Sequence, residues 1–445
     1  MAVWSEVNTS HIFGAIRLDA EFYQPRYKNN ESKLRAFRRS TTLGQITPKF
    51  VKGIFNINAE EYTDKGIPFV RISNLKDMFI SDLNLAFINR ERHLSEQKTA
   101  LKKFDIVISK TAIPAASLVQ FEECNTSQDI IAVQTNQSTQ FNFYLVAFLN
   151  SRFGLLQMER LFQGNIQSHL SLDEARTIIV PLPDENFERE IADLLKGSLR
   201  MREQASQLYA EAETLLLDAL GLNNVTVTQA VTYERDFHEV ARAGRFDSPY
   251  FSPRAQRALQ IMGRSGNTLG DVAPMVKRKF KPRSGEEFRY IEIGDIGGDG
   301  RAESSPIAGE EAPSRAQWIV RSKDIITSTV RPIRRLSALI EPEQDGFVCS
   351  SGFAVLKPRD VVPEVLLVYL RAPIVCEILD LHTTATMYPA IATDTLLDIP
   401  FSAPDPAISK EIVSKVRASR AARDDAQNLL ESAKRRVEEL IEEGG

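Results

Sequence analysis

The chain has 445 residues, of which 43% are hydrophobic, so it can form roughly two or three domains with ordinary cores. Its formal net charge is −4, whereas a protein that binds nucleic acid alone usually carries a basic excess; any such binding must therefore use a local basic surface or a partner. The three cysteines and five histidines lack the spacing of a metal site. With neither a secretory leader nor a run of about 18 apolar residues, the sequence predicts a soluble cytoplasmic protein with no membrane contact.

The first half of the chain reads as a mixture of strands and helices. Residues 1–40 form a short helical or extended lead-in, and a compact region starts at Leu43-Gly44. Apolar runs bounded by turn residues predict strands, and helical spacing predicts a helix over 143–150. The predicted strands lie within 66–75, 104–110, 130–133 and 178–183. A polar loop over 164–169 precedes the last of them.

Small or apolar residues then recur in steps of three and four from 187 to 220, which predicts one long helix with a coiled-coil seam. At 1.5 Å per residue this helix is roughly 50 Å long. The seam residues are Ile191, Leu194, Ser198, Met201, Ala205, Leu208, Ala212, Leu215 and Ala219. Pro183-Asp184 stands before the helix, and the aspartate suits an N-terminal cap because its carboxylate can accept from free backbone amides.

The second half repeats these features in the same order. The lead-in recurs at 245–253, the buried strand at 323–328 and the long helix 221 positions after the first. The second seam comprises Ile412, Lys415, Ser419, Ala422, Ala426, Leu429, Ala433, Arg436 and Leu440. The two charged members each adjoin a valine, Val416 or Val437, that can cover the seam. A duplicated architecture is therefore the first hypothesis.

The repeat predicts an α+β fold, in which two pseudo-repeated mixed α/β domains are joined by two long antiparallel coiled-coil helices. The predicted segments are a first domain at 1–185, a first helix at 186–222, a second domain with its linker at 223–403 and a second helix at 404–445. Two helices of equal length would hold the domains a fixed distance apart, and 50 Å corresponds to roughly fifteen base pairs.

No catalytic signature appears in the sequence. There is no phosphate-binding loop, and the glycines at 294–300 have the spacing of a turn rather than of a dinucleotide site. Asp247-Ser248-Pro249-Tyr250 superficially matches the target-amine site of amino-methyltransferases. It lacks a second proline and a preceding glycine-rich cofactor motif, so a packing role for the aromatic pair is the favoured interpretation.

Two basic clusters and one polar loop are the candidates for binding nucleic acid, because cationic side chains attract phosphates and amides can read base edges. An ordinary solvated surface is the alternative for each. The second-half candidates are Lys277, Lys279, Lys281, Arg278, Arg283, Arg331, Arg334 and Arg335. The first-half candidates are Lys49, Lys52, Arg71, Asn74, Lys110, Asn165, Gln167 and His169.

Taken together, the sequence resembles the specificity (S) subunits of Type I restriction-modification systems. The resemblance rests on 66–75, on 105–110, on 179–183 running into the long helix, and on the recurrence of this pattern. It departs from the family where Glu190 and Glu411 stand without the usual following glutamine, and where Tyr290–Asp295 replaces the first-half strand motif.

The resemblance implies a non-catalytic subunit with two target-recognition domains, each reading one half of a split double-stranded DNA site. It implies that the helices set the spacing and dock two adenine methyltransferase (M) subunits, and that restriction (R) subunits join the complex. S-adenosylmethionine, ATP and Mg would then be bound by those partners, with no cofactor or metal on this chain. A stand-alone methyltransferase or nuclease with drifted motifs, and a coiled-coil scaffold without a DNA role, are the alternatives.

Overall fold

The computed structural model describes residues 6–7, 19–82, 84–162, 169–223, 225, 232–384 and 387–444. The chain forms two compact units. Unit 1 combines Met1–Arg202 with Asp424–Gly445, and unit 2 is Glu203–Arg423. The four segments predicted from the sequence stay predictions, because this division cuts across both long helices instead of following their ends.

Unit 1 contains a mixed α/β body and the start of the first long helix. Its helices are α1 (Pro25–Ala36), α2 (Leu43–Ile46), α3 (Arg90–Ser95), α4 (Thr139–Asn150), α5 (Arg152–Leu161), α6 (Leu172–Arg176) and the long helix α7 (Glu185–Leu220). Its strands are β1 (Ser40–Thr42), β2 (Lys49–Lys52), β3 (Tyr62–Thr63), β4 (Ile67–Val70), β5 (Ala86–Ile88), β6 (Leu101–Lys102), β7 (Ile106–Ser109), β8 (Ala116–Leu118), β9 (Glu123–Thr126), β10 (Ile130–Gln134) and β11 (Ile179–Pro181).

Three sheets organise unit 1. The strand orders are β2-β10-β7-β8, β3-β5-β4-β9-β6 and β1-β11. All four residues of β7 are buried, as the uninterrupted apolar run predicts for a central strand. Helix α4 lies almost wholly inside, with nine consecutive buried residues from Phe141 to Leu149.

Unit 2 has the same kind of body. Its helices are α8 (Phe237–Ala243), α9 (Ser248–Phe251), α10 (Pro253–Met262), α11 (Leu269–Val272), α12 (Pro363–Arg371), α13 (Pro373–Leu381), α14 (Thr393–Leu397) and the long helix α15 (Pro406–Glu443). Its strands are β12 (Asn267–Thr268), β13 (Glu287–Ile291), β14 (Ser305–Ala308), β15 (Ala316–Ile319), β16 (Ile325–Ser328), β17 (Ser337–Leu339), β18 (Val348–Ser350), β19 (Phe353–Leu356), β20 (Thr383–Thr384), β21 (Ala390–Ile391) and β22 (Pro400–Phe401).

The internal pairing of unit 2 follows that of unit 1. The central strands β7 and β16 each lie between an antiparallel partner on either side. The parallel pair β4–β9 has its counterpart in β13–β18. The aromatic pairs of the two lead-ins also match, with ring centroids 5.1 Å apart for Phe22–Tyr23 and 5.0 Å for Tyr250–Phe251. The two units thus repeat these strand pairings, and the aromatic pair packs ring against ring in each.

The long helices α7 and α15 contact each other in antiparallel order within each unit. In unit 1 the Ser198 hydroxyl donates to the Ala426 carbonyl at 2.9 Å, and Glu190 pairs with Arg436 at 2.7 Å. Gly197 permits this close approach, since a Cβ there would lie 3.2 Å from the Leu429 side chain.

In unit 2 the same helices meet through the equivalent serine–carbonyl bond and a different ion pair. The Ser419 hydroxyl donates to the Ala205 carbonyl at 2.6 Å, and Lys415 pairs with Glu211 at 2.7 Å. Ser198 and Ser419 are both buried and lie 221 positions apart, so the same hydroxyl-to-carbonyl bond occurs once in each unit.

The predicted seam coincides with the packed faces of both helices, with a shift at one end. Among the predicted packing residues, Ile191, Ile412 and Ala422 are buried, whereas Leu194, Met201, Leu208, Leu215, Leu429 and Leu440 are half-buried. Ala219 is exposed, and Leu216 and Leu220 are buried in its place, because a straight helix drifts from a strict seven-residue repeat. Val416 and Val437 are buried beside the charged seam positions, as predicted.

Each long helix begins beside an aspartate. The Asp184 carboxylate accepts from the backbone amides of Asn186 and Phe187 at 2.9 Å, and Asp405 accepts from Ala407 at 2.8 Å. The predicted cap at Asp184 is thereby confirmed. Within the described ranges, no helix is both long and apolar enough to cross a membrane.

An ion pair at equivalent positions ties each body to a long helix. In unit 1 the Arg202 guanidinium on α7 pairs with Asp77 and lies 5.3 Å from the Phe79 ring centroid. In unit 2 Arg423 on α15 pairs with Asp299 at 3.5 Å. Both aspartates follow a short 3₁₀ turn at the end of a strand, Ile72–Asn74 after β4 and Ile293–Asp295 after β13.

Candidate nucleic-acid interface

A turn after the central strand of unit 1 meets a second segment of the chain at one end of the main sheet. Strands β2 and β7 both pair antiparallel with β10, so they run in the same direction and end at the same edge. Lys52 ends β2, and Lys110 follows β7. The Lys110 carbonyl accepts from the Leu170 amide at 2.8 Å, and Thr111 forms a bridge with His169. The structure therefore brings Lys110 and His169 together.

This turn presents an apolar side chain to solvent. Ala112 has a φ of 67°, a left-handed conformation that costs free energy for a residue with a Cβ. Ile113, which follows it, is 68% exposed. The buried Ser109 hydroxyl donates to the Ile113 carbonyl at 2.7 Å and accepts from the Ala115 amide at 2.9 Å, which fixes the turn. Loop surface 1 is defined as Lys110, Ala112, Ile113 and His169.

Unit 2 builds the equivalent turn after β16. Arg331 has a φ of 50°, and its amide donates to the Pro389 carbonyl at 2.8 Å. The buried Ser328 hydroxyl, at the position that corresponds to Ser109, donates to the Val330 carbonyl at 2.9 Å. The Arg331 guanidinium donates to the Met387 carbonyl at 3.1 Å and lies 5.5 Å from the Tyr388 ring centroid.

This second turn is also apolar at its tip. Ile333 is 49% exposed, and the facing segment exposes Met387 by 76% and Tyr388 by 68%. Arg331 and Arg334 are exposed around them. Loop surface 2 is defined as Arg331, Ile333, Arg334, Met387 and Tyr388. Both loop surfaces combine cationic and large apolar side chains, which is the combination that binds unstacked bases and phosphates.

The second basic cluster forms an extended segment along β15. Lys279 bridges to Trp318, and the Phe280 amide donates to the Gln317 carbonyl at 2.8 Å. Successive side chains of an extended segment alternate in direction, so Lys277, Lys279 and Lys281 are exposed while Phe280 packs inward. Arg283 is exposed and pairs with Glu286 at 3.4 Å. In the ranges that the structure describes, no cluster of three or more metal-ligating side chains occurs.

Comparison with known proteins gives a match for the first half of the chain. Residues 40–213 match the family model described as the Type I restriction modification DNA specificity domain. This part of the chain is similar to Type I specificity domains. The resemblance inferred from the sequence is thereby confirmed, and the match covers the main sheet, loop surface 1 and most of α7.

Individual relatives are more distant. The chain is 22% identical over 150 residues to the Type I restriction enzyme HindI specificity subunit of Haemophilus influenzae, an alignment that spans 33% of each chain. Two solved structures are similar over 91% of this chain: an S subunit from M. genitalium (12% identity, 94% of that chain, TM-score 0.37) and the HsdS subunit of Thermoanaerobacter tengcongensis (16% identity, 96% of that chain, TM-score 0.29).

Several residues predicted to contact DNA in unit 1 instead hold its fold. Asn74 is fully buried, accepts from the Arg71 amide at 3.1 Å and donates to the Ser81 carbonyl at 3.0 Å, so its assignment as a DNA contact is wrong. Asp295 accepts from the Glu292 amide at 2.8 Å in the matching turn. An amide and a carboxylate can both cap this turn, which accounts for the altered strand motif in the second half.

Other cations of the prediction are bonded to the fold. The half-buried Lys49 ammonium donates to the Ala100 and Gln97 carbonyls, and burial lowers the pKa of Lys49. The Arg71 guanidinium donates to the Asn84 carbonyl at 2.6 Å.

In unit 2, Arg278 pairs at 2.6 Å with the buried Asp324, and Arg335 pairs with Glu213 on α7. Lys49, Arg278 and Arg335 therefore bond to the fold, and their contact with DNA stays a prediction. Asn165 and Gln167 lie outside the described residues.

Sequence reasoning missed the apolar members of both loop surfaces, Ile113, Ile333, Met387 and Tyr388. An isolated isoleucine or tyrosine in a sequence gives no sign of its exposure. The available signal was the repeat itself: Ile113 and Ile333 lie about 220 positions apart, each just after the polar end of the repeated buried strand.

Proposed function

We propose that this chain is the DNA-specificity subunit of a Type I restriction-modification complex, in which each unit reads one half of a split double-stranded DNA site. The observation that carries the proposal is the specificity-domain match over 40–213, together with the recurrence of the central strand pairing, the turn and the long helix in unit 2. Two similar but divergent bodies suit one task performed on two different half-sites.

Loop surfaces 1 and 2 supply the contacts of each unit with DNA, and the lysines of 277–281 add phosphate contacts to the second. Phosphate contacts position a protein on the duplex without reading sequence, so Lys52, Lys110 and the exposed lysines orient each unit. Side chains at the turns then reach the bases. Since a single mismatched base pair costs only about 1–3 kcal/mol, two half-sites read together give the discrimination that one cannot.

The chain itself acts without a catalytic group or a cofactor. Two methyltransferase (M) subunits bind S-adenosylmethionine and dock on the long helices, and restriction (R) subunits bring ATP and Mg. The M and R subunits carry much of the positive charge that contacts the DNA phosphates and that the acidic chain lacks, and the complex works in the cytoplasm. The paired helices α7 and α15 set the separation between the half-sites.

A methylome tests the proposal directly. The chain is expressed with its adenine methyltransferase in a host free of DNA methylation, and modified adenines are mapped across the genome. The expected result is a split motif with a modified adenine in each half and a fixed gap. The methyltransferase expressed alone is the control. Absence of modification despite co-purification of the two proteins would contradict the proposal and favour a scaffold.

A matched insertion tests the spacing role. Seven residues are added after Glu203 in α7 and seven after Asp424 in α15, between the two serine–carbonyl bonds, so each body keeps its own helix contacts. The insertion adds about 10 Å of helix, or about three base pairs of gap, with both half-sites unchanged. Altered half-sites would refute the spacing role of the helices. An insertion in α7 alone, which puts the two helices out of register, serves as the control.

A further inference from the structure

The two units present the same unusual feature at the same place. In each, a residue in the left-handed conformation lies three positions after the last residue of the central strand, and an exposed isoleucine comes one or two residues later. The pairs are Ala112 with Ile113, and Arg331 with Ile333. The other surface residues around the turn differ between the units, so the turn itself is the feature that is repeated.

Both turns are held rigidly although their tips bury little. Ser109 and Ser328, 219 positions apart, are buried and bond to the turn that follows them. A second segment then clamps each turn, through the Thr111–His169 bridge in unit 1 and the Val330–Ala390 bridge in unit 2. Backbone strain held in place by surrounding structure typically marks functional sites, and here it fixes an isoleucine in solvent.

The charges around the isoleucines identify the partner. Lys110 and the segment that carries His169 lie beside the turn of Ile113, while Arg331 and Arg334 flank Ile333 in sequence. A cationic rim around an apolar tip matches a polyanion with an apolar interior, which is DNA with its stacked bases. Proteins that kink DNA insert isoleucine, leucine, methionine or phenylalanine between base steps in this manner.

The geometry points to Ile113 and Ile333 as apolar wedges that enter the base stack of their respective half-sites, with Tyr388 stacking on a base beside Ile333. This inference rests on the proposed function. Each wedge unstacks one base step, and the adjacent cations hold the phosphates on either side. Specificity then depends partly on how readily that step unstacks, in addition to direct contacts with base edges.

The test uses the complex of the full chain with its methyltransferase, on duplexes that carry the site found by the methylome. Binding is measured by fluorescence anisotropy for the wild type and for Ile113→Ala and Ile333→Ala. 2-Aminopurine, placed at each position of a half-site except the methylated adenine, reports unstacking by an increase in fluorescence. Each alanine variant should bind about tenfold to a hundredfold more weakly and lose the fluorescence increase in one half-site only.

Matched controls separate wedge loss from a general effect. Leu94→Ala in unit 1 and Val362→Ala in unit 2 remove exposed apolar side chains outside the loop surfaces and should change affinity less than twofold. Ile113→Leu and Ile333→Leu should restore most binding and unstacking, since leucine also wedges. All variants should keep the wild-type melting temperature, because the side chains removed are exposed.

The outcomes separate this inference from the proposed function. If the wild type directs methylation to a split motif and the alanine variants bind like the controls, the wedge is refuted and the proposed function stands. Weakened co-purification with the methyltransferase, with DNA affinity retained, would make the isoleucines a protein contact and also refute it. If the wild-type chain directs methylation to no motif, both the wedge and the proposed function are refuted.

Discussion

Truncating Arg371 should destabilise unit 2 by several kcal/mol, because its buried guanidinium joins separate parts of the fold. Arg371 ends α12 and is 2% exposed. It donates to the Arg335 carbonyl at 2.7 Å and the Ser337 carbonyl at 3.1 Å, to the Gly298 carbonyl, and to the Tyr209 hydroxyl of α7 at 3.0 Å. The substitution Arg371→Met keeps most of the stem and removes every donor.

The magnitude follows from the acceptors left behind. Each buried carbonyl without a partner costs about 1–3 kcal/mol, and several lose their donor together. Removal of the buried charge recovers part of its desolvation cost, so the net loss should be about 3–5 kcal/mol. For a unit of this size, 1 kcal/mol lowers the melting temperature by about 2–4 °C, so we expect a fall of about 6–20 °C.

Thermal unfolding followed by circular dichroism measures the loss, and hydrogen exchange localises it. Exchange should accelerate around Gly298 and Ser337 in unit 2 but not around Ala116 in unit 1, where Asn150 occupies the equivalent helix position and donates to the Ala116 carbonyl at 2.7 Å. Arg254→Met is the matched control, because Arg254 is exposed and bonded to Glu377, a pair worth about 0–1 kcal/mol. A loss for Arg371→Met no larger than for Arg254→Met would refute the reasoning.

Three further predictions concern the stability of the two units. A double-mutant cycle on Arg202 and Asp77 should give a coupling free energy of about 1 kcal/mol in denaturant unfolding, and a coupling of zero would mean that the ion pair does not tie body to helix. Ser198→Leu should cost about 1–3 kcal/mol by overpacking the helix contact, whereas Ser198→Ala should cost about 0.5–1.5 kcal/mol for its lost hydrogen bond; equal costs would contradict close packing there. Burial lowers the pKa of His382. Its contribution to stability is therefore present above the ordinary value of about 6.5 and is lost as the pH falls through the lowered pKa. In urea unfolding across pH 4–8, the free energies of unfolding of the wild type and of His382→Phe should diverge only below about pH 6.5.

The sequence was sufficient to predict the duplication and the long helices, because both are periodic. Repetition at an offset near 221 identified equivalent elements, and the spacing of small and apolar residues identified the helix faces. The drift at Ala219 was not predictable from the heptads alone, since the real helix period is closer to 3.6 than to 3.5 residues.

The contacts of individual cations were not predictable, because each depends on a partner far away in sequence. Arg278 and Arg331 both stand in basic clusters, yet the first pairs with Asp324 and the second lies exposed on loop surface 2. Charge density marks where cations are numerous, but burial and long-range pairing decide which of them can meet DNA. Exposure of Ile113 and Ile333 depends likewise on how the turn is held.

Unit 1 is built from two chain segments that are far apart in sequence, and this constrains the order in which the protein can fold during translation. Its core contains Leu430, Ala433, Val437 and Ile441 packed with Ile191 and Leu195, so the first body waits for a segment made more than 200 residues later. At about 5–20 residues per second, the ribosome needs tens of seconds to supply that segment. Unit 2 is contiguous and can close first, while the unfinished apolar face of α7 is exposed to chaperones, proteases or a partner protein already present.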